Sequence, residues 1–142
     1  LTEDECDDVM NVNTKGVFLC CQEAIRHMRR QGGGRIINIS SIFGKQPGGL
    51  LDYDTIKAAV IMLTKDLANY LAKDNILVNA VSPGFIETEM TQDIPREKVL
   101  PLIPMRRFGT PLEVAAVVKF LCSDQASYIT GQVISVNGGI YM

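Results

Sequence analysis

The chain has no tryptophan and a single histidine among its 142 residues, so neither indole anchors nor a cluster of imidazole ligands can organise a site. His27 lies among Arg26, Arg29 and Arg30 at what reads as a helix end, where a solvated imidazole meets the negative pole of the helix dipole. The four cysteines, Cys6, Cys20, Cys21 and Cys122, show no C-x-x-C or Cys/His spacing. They read as reduced packing residues of a cytoplasmic protein, without a metal centre. Long hydrophobic runs are also missing: Ala58 to Leu63 is the longest, far short of the ~20 residues of a membrane span, and no leader-like segment follows Leu1. Neither sign of charge dominates; the formal net charge of −2 offers no electrostatic footprint for nucleic acid. Repeats, low-complexity segments and linkers are lacking as well, so residues 1–142 are expected to belong to one domain.

What is there is ordinary globular material, 46% hydrophobic and 21% charged, with clear punctuation. Thr2-x-x-Glu5 has the form of a capping box, and acidic residues crowd the first turns of a predicted helix. Apolar residues continue at helical spacing through Met10, Val17, Cys21, Ile25 and Met28 until Gly32-Gly33-Gly34 ends the run. Arg35 to Ser40 and Ile76 to Val81 are short β-branched runs with little polar alternation, the pattern of strands covered on both faces. Between them, Asp52 to Lys73 has a helical period and is apolar all round over Ala58 to Leu63. One face can therefore go to a sheet and another to a subunit partner. From Glu87 to Gly109, Pro95, Pro101 and Pro104 interrupt any long helix, so a lid of short turns with an apolar underside is expected. Thr110-Pro111-Leu112-Glu113 starts a further helix carrying Val114, Val117, Val118 and Leu121 on one side, and Gly131 to Val136 reads as a third strand. Strands alternating with helices predict an α/β fold with a parallel sheet. Ligands in such sheets bind beyond the carboxyl ends of the strands, where Ser40, Ser41, Pro83 and Gly84 fall.

The chemistry centres on Tyr53 and Lys57. Four residues apart on a helix, they share one face, so the ammonium can lie beside the phenol. A neighbouring positive charge favours the phenolate, which suits the tyrosine to proton transfer at a substrate oxygen. Taken alone, the pair is common helix surface, and its neighbours have to give it meaning.

Those neighbours are Val12-Asn13-Thr14-Lys15-Gly16, Asn38-Ile39-Ser40-Ser41-Ile42-Phe43-Gly44, Tyr53-x-x-x-Lys57, Asn79-Ala80-Val81-Ser82-Pro83-Gly84 and Val136-Asn137-Gly138-Gly139. With these motifs in this order, the chain resembles the C-terminal part of a short-chain dehydrogenase/reductase. The resemblance implies the C-terminal portion of a doubly wound, Rossmann-type parallel sheet. It also implies an NAD(P)-dependent oxidoreductase that interconverts a carbonyl and a secondary alcohol. By position, Tyr53 is the implied general acid or base; Lys57 tunes it and holds the nicotinamide ribose. Ser41 holds the carbonyl oxygen, and Asn13 holds a water in a proton relay. Pro83, Gly84, Ile86 and Thr88 match the segment that grips the nicotinamide end, while Asn79 fixes local backbone. Spacing from Tyr53 points to Ser40 and the Asn-Ile-x-Ser-x-x-Gly context to Ser41; the context is followed. Ile56 stands where a small residue is usual, which predicts a narrower site, and Asn137 replaces the usual aspartate.

No glycine-rich phosphate turn, and no residue that chooses NADP or NAD, occurs in these 142 residues. The resemblance places both in a preceding half of about a hundred residues, at ~30 or more per βαβ unit. The 142 residues are therefore expected not to bind the cofactor tightly alone. Within the family, Glu87-Thr88-Glu89-Met90-Thr91 and Ile103-Pro104-Met105-Arg106-Arg107-Phe108-Gly109 are most similar to 3-oxoacyl-(acyl carrier protein) reductases. That likeness favours NADPH, an acyl-carrier-bound carbonyl substrate and a homodimer or homotetramer. Gly32 and Asp74 stand where those reductases carry basic docking residues, and Arg26, Arg29 and Arg30 offer a nearby positive patch. The alternatives are a free small alcohol, sugar or steroid as substrate, or a truncated, non-enzymatic association module.

Overall fold

Local sequence accounts for several of the helix ends. The structure, a computed structural model, describes residues 2–49 and 51–142. Thr2 opens helix α1 (Glu3–Met10) with a reciprocal cap: its hydroxyl accepts from the Glu5 amide, and the Glu5 carboxylate accepts from the Thr2 amide at 2.8 Å. The single predicted helix is in fact interrupted. Asn11–Lys15 forms a π-helical turn, and helix α2 (Gly16–Gln31) continues beyond it. Within that turn the Asn13 side-chain amide donates to Val9 O at 3.2 Å. This is the carbonyl that the Asn13 backbone N–H takes in a regular α-helix. Gly32 closes α2 in the left-handed region at φ 83°, and Gly33 N–H donates to Met28 O at 2.9 Å.

Three strands follow in alternation with helices: β1 (Gly34–Ile39), β2 (Ile76–Pro83) and β3 (Val133–Val136), with α3 (Leu51–Leu71) between β1 and β2. They form a parallel sheet in the order β1-β2-β3, with Gly34 opposite Ile76 and Ala80 opposite Val133. Residues of α2 and α3 cover one face, packing Cys21, Ile25, Ala68 and Leu71 against Ile36, Ile76 and Val78. Across residues 84–110 the chain makes short turns and a four-residue helix, α4 (Arg96–Val99). Helix α5 (Pro111–Cys122), capped by Thr110 and Glu113 as its sequence predicts, covers the other face of the sheet. There Leu121, Val114, Val117 and Val118 meet Val81, Ile37 and Ile134. Central β2 is buried along almost its whole length, as expected of a strand sandwiched by two helical layers.

Several polar groups inside this core are paired, whereas the hydroxyl of Ser82, buried in β2, has no hydrogen-bond partner among the described residues. Asn38 donates to Thr64 Oγ1 at 2.9 Å, Thr64 donates to Val60 O at 2.8 Å, and the Cys21 thiol lies 3.6 Å from Asn38 Oδ1. Burial pushes the Cys21 thiol pKa up, so it stays a neutral packing group. The other cysteines do not share that role: Cys6 is half-buried, and Cys20 and Cys122 are exposed. Asn79 does fix backbone, donating to Ile129 O at 2.8 Å and accepting from Gln132 N at 2.9 Å. These bonds, with a left-handed Gly131, delay β3 to Val133 rather than Gly131. In the turns of residues 84–110, Ile103 and Phe108 form the apolar underside, while Met90, Leu102 and Met105 face outward.

Candidate active site

At the carboxyl end of β1 the ladder runs one bond past the strand, Ser40 N–H donating to Val81 O at 2.8 Å. The chain then turns sharply through a 3₁₀ segment, Ile42–Gly44. The two serines before this turn are both buried, at 3% and 6% exposure, yet hold different partners. Ser40 donates its hydroxyl to Lys57 O at 2.8 Å, tying the strand end to α3. Ser41 accepts from Phe43 N–H at 3.2 Å, which leaves its hydroxyl hydrogen for another acceptor. Gly44 is required by this close approach, because a Cβ there would lie 2.6 Å from the Lys57 carbonyl carbon and oxygen.

Helix α3 enters beside this turn and presents Tyr53 and Lys57 on one face. The Lys57 ammonium lies 5.6 Å from the Tyr53 ring centroid and donates to Ile39 O at 3.3 Å. Burial lowers the Lys57 pKa below the ordinary lysine value, since the charged form has lost part of its water. Edge-on contact with Phe43, at 6.5 Å between centroids, borders the Tyr53 ring on another side.

Facing this wall, the chain leaves β2 at Pro83 and is held by an isolated bridge between Ile86 and Gly109. Gly109 N–H donates to Phe85 O and Glu87 N–H to Gly109 O, both at 2.9 Å, which turns the Ile86 amide and carbonyl the other way. Thr91 Oγ1 donates to Ile86 O. Among the described residues the Ile86 N–H has no backbone partner, so a donor is available at the cleft. Together the walls enclose about 380 Å³, bounded by Ser41, Tyr53, Lys57, Pro83, Gly84, Ile86 and Thr88. Every predicted site residue except Asn13 therefore lines one cleft. Asn13 is not among the lining residues; it is half-buried in the π turn, which packs against α3.

Ser40, the alternative that spacing from Tyr53 pointed to, also lines the cleft, and so do residues that sequence reasoning passed over: Ile39, Met90, Thr91, Pro111 and Val114. For Pro111 and Val114 the capping box located the helix, but nothing local aims its first turn at β1. Ile56, expected to narrow the site, instead points into the core at 1% exposure and is not among the lining residues. Asn137 uses both ends of its amide, donating to Tyr141 O at 2.8 Å and accepting from Gly139 N at 2.9 Å. A carboxylate could make only the second bond.

A nicotinamide cofactor fits this end of the cleft on the donors in hand, the Ile86 amide and the Lys57 ammonium. Comparison with known proteins agrees. A family model described as enoyl-(acyl carrier protein) reductase matches residues 1–141. The 3-oxoacyl-[acyl-carrier-protein] reductase FabG of Aquifex aeolicus is 52% identical over 139 residues, covering 95% of this chain and 56% of that protein. FabG of Staphylococcus aureus strain Mu50 is 50% identical over 146 residues, covering 100% and 59%. Among solved structures, the TT0495 protein of Thermus thermophilus superposes with a TM-score of 0.94 at 36% identity, covering 99% of this chain and 62% of that one. A candidate 2-deoxy-D-gluconate 3-dehydrogenase from Agrobacterium tumefaciens, solved with NADP bound, gives 0.94 at 37% identity, covering 99% and 60%. The chain thus spans between 56% and 60% of the length of the curated relatives it matches.

Proposed function

The chain belongs to the short-chain dehydrogenase/reductase family, and we propose that the full-length protein interconverts a carbonyl and a secondary alcohol with Tyr53 as proton donor and acceptor. The observation that carries this reading is the convergence of Ser41, Tyr53 and Lys57 with the Pro83 to Thr88 segment on one cleft. When bound, a nicotinamide cofactor supplies or accepts the hydride. Ser41, whose oxygen already accepts from Phe43 N–H, donates its hydroxyl to the substrate oxygen and fixes it near the phenol. Tyr53 protonates that oxygen in reduction and deprotonates it in oxidation. Lys57, within 5.6 Å of the ring, favours the phenolate and shares the proton, which passes to solvent through a water held at the Asn13 turn. Lys57 also holds the ribose, while Pro83, Gly84, the Ile86 backbone and the Thr88 hydroxyl hold the nicotinamide end. NADP is favoured over NAD by likeness to the relatives, and the pyrophosphate cradle belongs to a part of the protein outside these 142 residues.

An acyl-carrier-bound 3-oxo thioester is the favoured substrate, resting on the likeness to FabG. A free small carbonyl or alcohol is the second reading, and one observation favours it. Arg29 is already engaged by Asp74 at 2.8 Å and stacks on Tyr70, and Arg26 pairs with Glu23 at 3.0 Å, which leaves Arg30 as the uncommitted cation of that helix end among the described residues. A homo-oligomer is supported by an apolar groove of about 310 Å³ between α2 and α3, lined by Phe18, Ile25, Leu67 and Tyr70.

The test uses the full-length protein with NADPH and NADH on an acyl-carrier thioester, a coenzyme A thioester and free ketones or sugars, with Tyr53→Phe as control. Tyr53→Phe is expected to lower turnover on the order of 10²–10⁴-fold; near-normal turnover overturns the proton-transfer reading. Preference for the carrier thioester supports the first substrate, and activity confined to free compounds supports the second.

A further inference from the structure

Phe43 has a neighbour on every side that matters to Tyr53. Its ring meets Tyr53 edge-on at 6.5 Å and 71°, and meets Phe85 edge-on at 6.0 Å and 83°. Phe85 in turn stacks on buried Phe108 at 5.6 Å. Over the remaining face of Phe43 lies the backbone of Gly48, where a Cβ would overlap the ring. That backbone is clamped from α3: Asp54 Oδ2 accepts from Gly48 N–H at 2.6 Å and from Gly49 N–H at 3.2 Å. Asp54 is the residue next to Tyr53, so one helical turn both presents the phenol and holds the loop that seats its neighbour.

We propose that Phe43, seated by the Asp54 clamp and backed by Phe85, is a positioning residue that fixes the Tyr53 ring for proton transfer. The physical grounds are directional. Tyr53 turns about its Cβ, and edge-to-face packing favours a particular ring angle as well as a separation. An aliphatic side chain of similar size fills space without selecting that angle. Misplacement of a proton donor by a fraction of an ångström acts on turnover, while the grip on substrate made by other residues is unchanged. The inference rests on the reading of Tyr53 as the proton-transfer group.

The experiment is carried out on the full-length protein. Phe43→Leu is expected to lower kcat on the order of tenfold with KM within about twofold, and to displace the pH limb of kcat that Tyr53→Phe abolishes. Phe43→Tyr, which restores a ring, is expected to recover most of the turnover and the wild-type limb. Gly48→Ala adds one methyl against the ring and is expected to lower kcat several-fold in the wild-type background and not at all in Phe43→Leu, because its effect passes through that ring. Wild-type kcat and pH limb in Phe43→Leu, a change in KM alone, or additive losses in the Gly48→Ala pair overturns the proposal. If circular dichroism finds Phe43→Leu unfolded, Phe85→Leu and Gly48→Ala carry the test, and wild-type kcat and limb in both overturns it. Failure of the underlying reading is distinguishable: it is the case in which Tyr53→Phe itself keeps turnover.

Discussion

The wall of the cleft that carries Ser41, Tyr53 and Lys57 stands on regular structure, whereas the facing wall, from Pro83 to Val114, is mostly turns. On the first wall the backbone segments are tied to one another: Ser40 to Lys57 O, Lys57 to Ile39 O, Gly44 against the α3 backbone. On the second, buried Ile103 and Phe108 anchor the later turns, while the turns after Ile86, whose Met90 is exposed, are held by the bridge at Ile86 and Gly109, the Thr91 hydroxyl and a Glu87–Arg96 pair at 3.2 Å. The difference teaches how one site can meet two demands. Proton transfer needs atoms fixed to fractions of an ångström, and strand ends and helices supply that. Admission and release of a ligand need a segment that opens at low cost, which turns with few buried contacts supply.

Substitutions at Ser41 and Lys57 on the first wall are therefore expected to act on turnover, and those in the Ile86 to Thr91 turns of the second, which carry none of the aromatic rings packed around Tyr53, on binding. The largest effect is expected from Lys57→Met, with turnover down on the order of 10²–10⁴-fold. Thermal stability should hold or rise, and the sign follows from burial. The Lys57 pKa is lowered in the fold, so the fold opposes the charge; that cost is present at neutral pH and fades as pH rises through the folded value toward 10.5. Differential scanning calorimetry of the variant checks it, and a marked fall in Tm would contradict the assignment of Lys57 as a strained, functional group. Next comes the serine pair. Ser41→Ala should lose about 10²-fold in kcat at unchanged Tm, while Ser40→Ala should lose about 1 kcal/mol of stability through its bond to Lys57 O. Reversed phenotypes would move the catalytic assignment to Ser40.

On the second wall Thr91→Val removes the bond to Ile86 O and should raise the cofactor KM a few-fold, about 1 kcal/mol of binding at most. An effect confined to kcat would erase the contrast between the walls. The smallest effect on activity belongs to Glu113→Gln, behind the lid. The Arg107 guanidinium and the Thr110 amide hold the Glu113 carboxyl at about 2, below its ordinary 4.5. Its stabilisation is therefore present above about 4.5, lost progressively as pH falls and gone below about 2. The variant should melt lower than wild type at neutral pH, with the gap closing in acid; parallel melting curves from pH 7 to pH 2 would count against the pairing.

Sequence reading reached the three strands, the capping boxes at Thr2 and Thr110 and the face shared by Tyr53 and Lys57, because each rests on local periodicity or on one residue's hydrogen-bonding habit. What escaped it is non-local or phase-neutral. The π turn at Asn11–Lys15 adds a fraction of a turn without altering composition, so the apolar spacing on either side still read as one helix. Ile56 looked like a residue that crowds the site, yet the turn of helix that aims Tyr53 and Lys57 at the cleft sends it into the core. Spacing and motif context disagreed over Ser40 and Ser41, and it took the α3 backbone, seventeen residues away in sequence, to give the two hydroxyls different partners. The contribution of α5 to the cleft depended on how a helix over the far face of the sheet is angled.

The parallel sheet carries a consequence for how this chain reaches its fold. Gly34 pairs with Ile76 and Ala80 with Val133, so every rung of the sheet joins residues more than forty positions apart. Helices α1 to α3 can form as the chain lengthens, but the central strand acquires its second neighbour only after Val133 has been synthesised. Such long closures place folding on the slow side of the range for small domains, milliseconds to seconds. During that interval the Ile76 to Val81 strand, wholly apolar except for Asn79, stands with an open edge, which makes it the segment a nascent-chain chaperone would be expected to shield.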